Sequence, residues 1–263
     1  MGPIARVVAT YTHAGRRHSN QDAVLATALP DGRFLLAVAD GMGGHSAGEI
    51  ASALAIETLH ARVRAGDGLR AAFSAANAAV YREAAARPSA RGMGTTLVAL
   101  LQAGATFEIA NVGDSRGYRV SEAGARSLTL DHSFVAEAVR SGSMSAAQAA
   151  DSPWRNALTR AIGTEAVVQV DVFGPFPARD GEAVVLCSDG LYKSIKDDMI
   201  AEYLLATEDA EAAVQSLAAL AFRRGSDDNI SIAIAEYGEL VRGRTEITLP
   251  ISIARQLDVA AGR

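Results

Sequence analysis

The chain has 263 residues, of which 49% are hydrophobic, and a formal net charge of −5. It is long enough for one large domain or two small ones with a well-buried core, and its acidic balance offers no basic patch for nucleic acid. The single cysteine, Cys187, excludes an internal disulfide; in the apolar run Val184–Cys187 it reads as inert core filling in a reducing compartment.

In chain order, β-type runs rich in Val, Ile and Leu predict strands at Arg6–Thr12, Ala23–Ala28 and Phe34–Ala39. A helix pair follows, Ser46–Arg64 and Asp67–Arg87, joined at Gly66; its alanine-rich sequence has strong helix propensity. Strands resume at Thr96–Leu101, Thr106–Val112 and Arg116–Val120. Asp131–Trp154 holds two short helical patterns around Ser141-Gly142-Ser143 and reads as a mobile flap, with Asp131 as the N-cap of its first helix. Strands at Val167–Phe173 and Val184–Cys187, a second helix pair at Asp197–Ala206 and Glu208–Arg224, and a last strand at Asn229–Ala235 complete the series.

Several strands are apolar on both faces, which implies that both faces are covered. Strands and helix pairs in blocks predict two packed sheets with helices outside, rather than a chain of βαβ units. One domain spans 1–237, and 238–263 is a tail whose Thr245–Ser252 stretch could add an edge strand. No apolar run approaches the roughly 20 residues of a membrane helix, and the first residues lack a signal-peptide pattern. The expectation is a cytoplasmic monomer that engages neither membrane nor nucleic acid.

The chemistry lies in where the aspartates fall. Phe34–Ala39 runs into Asp40-Gly41, Thr106–Val112 into Gly113-Asp114, and Ala183–Ser188 into Asp189-Gly190; Asp227-Asp228-Asn229 leads into the last strand. One such turn is ordinary. Several at buried strand ends are not, because an apolar strand end solvates a carboxylate poorly. If these ends share one edge the acids converge, and a bound dication turns their repulsion into attraction. An all-oxygen set without a His/Cys cluster selects Mg²⁺ or Mn²⁺ over zinc. Two such ions would acidify a water between them, and the Gly41 carbonyl could face one of them. Arg17, just after the first strand, is a natural phosphate clamp.

These residues resemble a family. Arg17-x-x-Asn20-Gln21-Asp22, Asp40-Gly41-Met42-Gly43-Gly44, Gly94-Thr95-Thr96, Gly113-Asp114-Ser115-Arg116, Ser188-Asp189-Gly190 and Asp228-Asn229 occur in the order of the bacterial type 2C metal-dependent Ser/Thr protein phosphatases. The resemblance covers about residues 5–237 and implies an α+β, four-layer αββα sandwich that hydrolyses phosphoserine and phosphothreonine, reversing a partner Ser/Thr kinase. By it, Asp40 bridges two core ions and the Gly41 carbonyl faces the second, with Asp189 and Asp228 completing the first. Asp114 and Asp189 hold a weaker third ion whose water protonates the leaving group, Arg17 binds the phosphate, and Asp22 lies beneath the second ion. Two departures stand out: Gln21 where the family often has Glu, and Met42 where eukaryotic members have His. Met42 cannot donate a proton, so His45 is the alternative acid to the water.

Other readings fit less well. Gly41-x-Gly43-x-x-Ser46 lacks the third glycine and the βαβ context of a dinucleotide fingerprint. A phosphorylated aspartate would want an acid where Met42 stands. A non-catalytic module built on the same fold would be expected to lose acids that are all present here.

Overall fold

The computed structural model describes residues 5–43 and 47–243, except for the side chains of Arg6 and Val7. His45 and the Thr245–Ser252 stretch therefore lie outside the described residues. The chain begins with strands β1 (Ala5–His13), β2 (Asp22–Ala28) and β3 (Phe34–Met42), then helices α1 (Ala47–Arg64) and α2 (Leu69–Ala86). Next come β4 (Gly94–Thr95), β5 (Leu97–Ala103), β6 (Thr106–Val112), β7 (Arg116–Ser121) and β8 (Gly124–Ser127). The short helices α3 (Phe134–Arg140) and α4 (Ala146–Ala150) precede β9 (Asp171–Pro177) and β10 (Glu182–Cys187). One-turn α5 (Asp189–Tyr192), α6 (Asp197–Ala206), α7 (Ala210–Arg223) and β11 (Ile230–Tyr237) close the described fold.

Two antiparallel sheets result. One runs β1-β11-β10-β7-β8, and the other β2-β3-β5-β6-β9 with β4 beside β3. The two-residue period of each strand explains why nearly every residue is apolar. On β3, Leu36 and Val38 enter a core shared with Val98, Leu100, Val184, Leu186 and Ala233 between the sheets. Leu35, Ala37 and Ala39 point the other way, into a core with Leu59, Phe73 and Val80 of α1 and α2. On the second sheet Val185, Cys187, Ile232 and Ile234 pack outward on Leu204, Val214 and Leu217 of α6 and α7. The layers are helix pair, sheet, sheet, helix pair: the αββα sandwich anticipated from the pattern. Cys187 is buried in this core, and burial pushes its thiol pKa up, consistent with an inert role.

Three local expectations need correction. The run Val167–Phe173 is not a strand throughout: Val167 is 82% exposed, and pairing begins at Asp171. β9 lies at a sheet edge, where Pro175 and Pro177 remove no ladder bond the fold needs. β8 has no β-type composition and forms as a hairpin on β7, with Ser121 opposite Gly124. Asp131 does not cap the flap helix. Ser133 does, its side chain accepting from the Ala136 N–H, while Asp131 takes both arms of Arg116 at 2.9 and 2.8 Å. Past Tyr237 the chain stays packed, with Leu240 buried in the α6/α7 core and Arg242 Nη1 donating to the Leu204 and Thr207 carbonyls.

The turn after Asp40 needs glycine for closeness rather than for an unusual backbone angle. A Cβ on Gly41 would lie 2.1 Å from the Gly48 carbonyl oxygen and 2.5 Å from that of Gln21. Gly41→Ala should therefore cost about 3 kcal/mol and lower Tm by roughly 6–12 °C for a domain of this size. Gly68→Ala, with open space around the added Cβ, should leave Tm within a degree or two. Equal melts for the two variants would show that α1 does not seat on this turn.

Candidate metal centre

The antiparallel register sets Asp22, the first residue of β2, directly opposite Asp40 on β3. Like charges in that relation are destabilising. The Asp40 backbone is held firmly: its N–H donates to Thr96 Oγ1 at 2.9 Å, and its carbonyl accepts from Thr96 N–H at 2.8 Å and Thr95 Oγ1 at 2.9 Å. Thr96 Oγ1 in turn meets Ser115 Oγ at 2.7 Å, tying this edge to the turn that carries Asp114.

The second sheet supplies the other acids. β10 ends at Cys187; Ser188 then caps α5, whose first residue is Asp189. Ser188 Oγ donates to Asp22 Oδ2 at 2.8 Å across the two sheets, and its N–H and hydroxyl are held by Ser231 on β11. Asp228 immediately precedes β11. Its neighbour Asn229 accepts from the Gln21 N–H at 2.8 Å and donates to the Ala14 and Ser19 carbonyls at 2.9 Å each. One amide side chain thereby pins the whole 14–21 loop that carries Arg17 beside Asp228.

The acids feel one another. Burial raises Asp40 well above the ordinary carboxylate range, and the charges of Asp22, Asp189, Asp114 and Asp228 raise it further. Burial pushes Asp22 up to about 7, with Ser231 and Ser188 hydrogen bonds opposing and the Asp189 and Asp228 charges adding to the rise. Asp114 goes up to about 6 through burial and the Asp189 charge, against the pull of Lys193. One oxygen each of Asp22 and Asp189, the Oδ1 atoms, is buried without a hydrogen-bond partner. Buried oxygens of this kind normally have partners, and a hard cation would provide one.

As they stand, no three acidic, His or Cys side chains among the described residues form a finished cage. Asp22 nevertheless lies directly opposite Asp40, and burial with the charges of Asp22, Asp189, Asp114 and Asp228 holds the Asp40 pKa up. Two cations sit here. Arg17 Nη2 lies 2.9 Å from Asp228 Oδ2, with its Nε on the Asp227 carbonyl. Lys193 Nζ lies 2.5 Å from Asp189 Oδ2 and 3.7 Å from Asp114 Oδ2. Burial works against the Lys193 charge, but the Asp189 and Asp114 carboxylates prevail and its pKa is raised. Lys193 was not singled out from sequence, although an acid four residues before a lysine is a readable helix pair. Ser188 and Ser231, which hold Asp22, carry no local signal.

A cleft of about 410 Å³ opens over the acids, floored by Asp40, Asp114 and Asp189 and walled by Met42, Asn156, Arg160 and Thr164. Apart from Met42 at the end of β3, the wall is built by the segment after α4. His132, without a role in the sequence reading, is buried just before α3: its Nδ1 accepts the Gly113 N–H at 3.2 Å and its Nε2 meets Asp171 Oδ2 at 3.2 Å. Asp171 also accepts from Arg160 at 2.9 Å, so the turn holding Asp114 is braced to the cleft wall.

Known proteins agree with this architecture. Residues 10–221 match the protein phosphatase 2C family. The chain is 36% identical over 278 residues to the serine/threonine protein phosphatase PstP of Mycobacterium tuberculosis, covering 99% of this chain and 52% of that protein. It thus spans about half the length of that curated relative. It is 36% identical over 244 residues to the serine/threonine phosphatase stp of Listeria monocytogenes, covering 89% of this chain and 96% of that one. The crystal structure of the PstP catalytic domain in complex with two manganese ions superposes with a TM-score of 0.76 at 35% identity, covering 89% of this chain and 98% of that one. With a family match over residues 10–221 and 36% identity to a relative that it covers almost in full, this chain belongs to the protein phosphatase 2C family.

Proposed function

We propose that the chain is a divalent-metal-dependent phosphatase that removes phosphate from phosphoserine and phosphothreonine of proteins. The observation that carries this is the convergence of Asp22, Asp40, Asp114, Asp189 and Asp228 on one edge, where their charges couple and two carboxylate oxygens lack partners. Asp40, Asp189 and Asp228, with the Gly41 carbonyl, would hold two ions, and Asp22 would support the second from below. The all-oxygen donor set fits Mn²⁺ or Mg²⁺. When bound, such ions would neutralise the carboxylates and supply the Lewis acidity that phosphate-ester hydrolysis draws on.

The protein's own groups do the rest. Arg17 presents a planar fork that matches two phosphate oxygens. Its side chain is 55% exposed and that of Asp228 37%, so the pair is weak enough to yield the guanidinium to an incoming phosphate. Arg160, Asn156 and Thr164 on the cleft wall would meet the groups that flank the phosphate. A partner kinase would supply the phosphorylated protein. No described helix is long and apolar enough to cross a membrane.

Excess chelator should abolish phosphate release, and Mn²⁺ should restore it. Asp40→Asn and Asp189→Asn should each remove several kcal/mol of transition-state stabilisation, about 10³-fold in kcat. Arg17→Ala should act mainly through KM, with a loss of about 1.5–3 kcal/mol. Full activity in chelator, or a kcat collapse at constant KM in the Arg17 variant, would overturn these assignments.

The pH dependence of stability has a definite sign. Asp22 at about 7 and Asp114 at about 6 lie above their unfolded values. Between those values and roughly pH 4, the folded ion-free chain keeps protons that the unfolded chain has lost. Its stability therefore falls as pH rises through that window. Mn²⁺ needs ionised carboxylates, so the Tm gain on adding Mn²⁺ should be larger near about pH 7.5 than near about pH 5. A gain independent of pH would show that protons and ion do not compete for these acids.

Removing Ser141–Ser145, the joint between α3 and α4, should lower kcat/KM on a phosphorylated protein more than on p-nitrophenyl phosphate. Equal losses on both would remove the flap segment from substrate recognition.

A further inference from the structure

We propose that Lys193 is a resident cation that closes the Asp114/Asp189 pair, so that this chain takes two divalent ions and not a third. The proposal rests on the metal-dependent reading of the acidic edge and narrows it.

Lys193 stands on the turn after α5, four residues beyond Asp189, so its side chain folds back over that helix toward its own acid. Its Nζ lies 2.5 Å from Asp189 Oδ2 and 3.7 Å from Asp114 Oδ2. It also donates to Asn156 Oδ1, on the cleft wall, at 3.0 Å. An ammonium has three donors and no acceptor, and here three oxygens from three segments surround it. This is the environment a hard cation would take between Asp114 and Asp189, with the ammonium already in it.

Charge leads to the same place. Asp114 and Asp189 bring two negative charges and Lys193 returns one. Asp114 is further engaged by the Tyr192 hydroxyl, and the Arg116 guanidinium lies 3.7 Å over the Tyr192 ring. A dication entering here would have to expel the ammonium and meet a carboxylate pair already half neutralised. Arg17 on Asp228 differs: its carboxylate partner also takes the Asn229 N–H at 2.9 Å, and its own side chain is 55% exposed against 36% for Lys193. Arg17, the more exposed and held by one carboxylate, can leave for a phosphate, whereas Lys193 is held between Asp189, Asp114 and Asn156.

Manganese bound at equilibrium, measured by dialysis of the full chain and metal analysis, tests this. The wild-type chain should bind two ions and show no third at millimolar Mn²⁺. Lys193→Asn and Lys193→Met should each gain a third, weaker ion, tighter than any third site in the wild type by about tenfold or more, the equivalent of about 1.4 kcal/mol. Lys193→Met keeps most of the unbranched stem, removes the ammonium and adds no oxygen, so a gain there separates loss of the cation from an added oxygen ligand. Lys193→Asn combined with Asp114→Asn should return to two ions. Thermal melts of each ion-free variant check folding, and the exposed position of Lys193 makes collapse unexpected. A third ion in the wild type as tight as in the Lys193 variants would overturn the proposal, as would variants that gain none. Fewer than two ions in the wild type would instead overturn the reading of the acidic edge itself.

Discussion

The candidate site of this molecule depends on holding five carboxylates at one edge of a sandwich. Two carboxylates about 4 Å apart repel by roughly 4 kcal/mol at an effective dielectric near 20, and here Asp40 senses four others. No local interaction would assemble such a set. It exists because three apolar cores clamp the strands that carry it: one between the sheets and one beneath each helix pair. The acids themselves are tethered by neutral donors, Ser188 on Asp22 and the Asn229 N–H on Asp228, or by cations. Stability made elsewhere in the fold is spent on this edge.

The same edge joins the two halves of the fold. Asp22 belongs to one sheet and Ser188 to the other, and their hydrogen bond crosses between them. Asn229 ties the end of β1 to the start of β11 through the 14–21 loop. The segment over the cleft is anchored by Arg116 on Asp131 and by His132 under the Gly113 turn. These bonds join the flap anchor to the turn that holds Asp114, between Gly113 and Arg116, and Asp171 links that turn to Arg160 on the cleft wall.

Lys193 changes how the edge is read. Seen from its carboxylates alone, the Asp114/Asp189 pair invites a metal. Seen with its neighbours, it already holds a cation supplied by the chain. Asp228 and Arg17 repeat the theme in a looser form, with Arg17 55% exposed against 36% for Lys193.

By itself the sequence determined much of this protein. Leu35 to Ala39 and Val184 to Cys187 are apolar at every position, so both faces of those strands had to be covered, and the block order of strands and helix pairs then favoured helix, sheet, sheet, helix. Asp40, Asp114, Asp189 and Asp228 stood out because each ends or begins such a strand. Tertiary structure decided what depends on partners distant along the chain. β8 is a strand only because β7 offers it a ladder, and residues 167–170 stay outside the sheet because β6 pairs only from Asp171 onward, although Val170 still reaches the α1/α2 core. Asp131 gave up a cap for Arg116, since a bidentate charged pair outweighs one N–H. The serines that hold Asp22, and the ammonium between Asp114 and Asp189, were likewise invisible in composition or spacing. They become functional only where two sheets meet, and that meeting is fixed by packing rather than by any local stretch of residues.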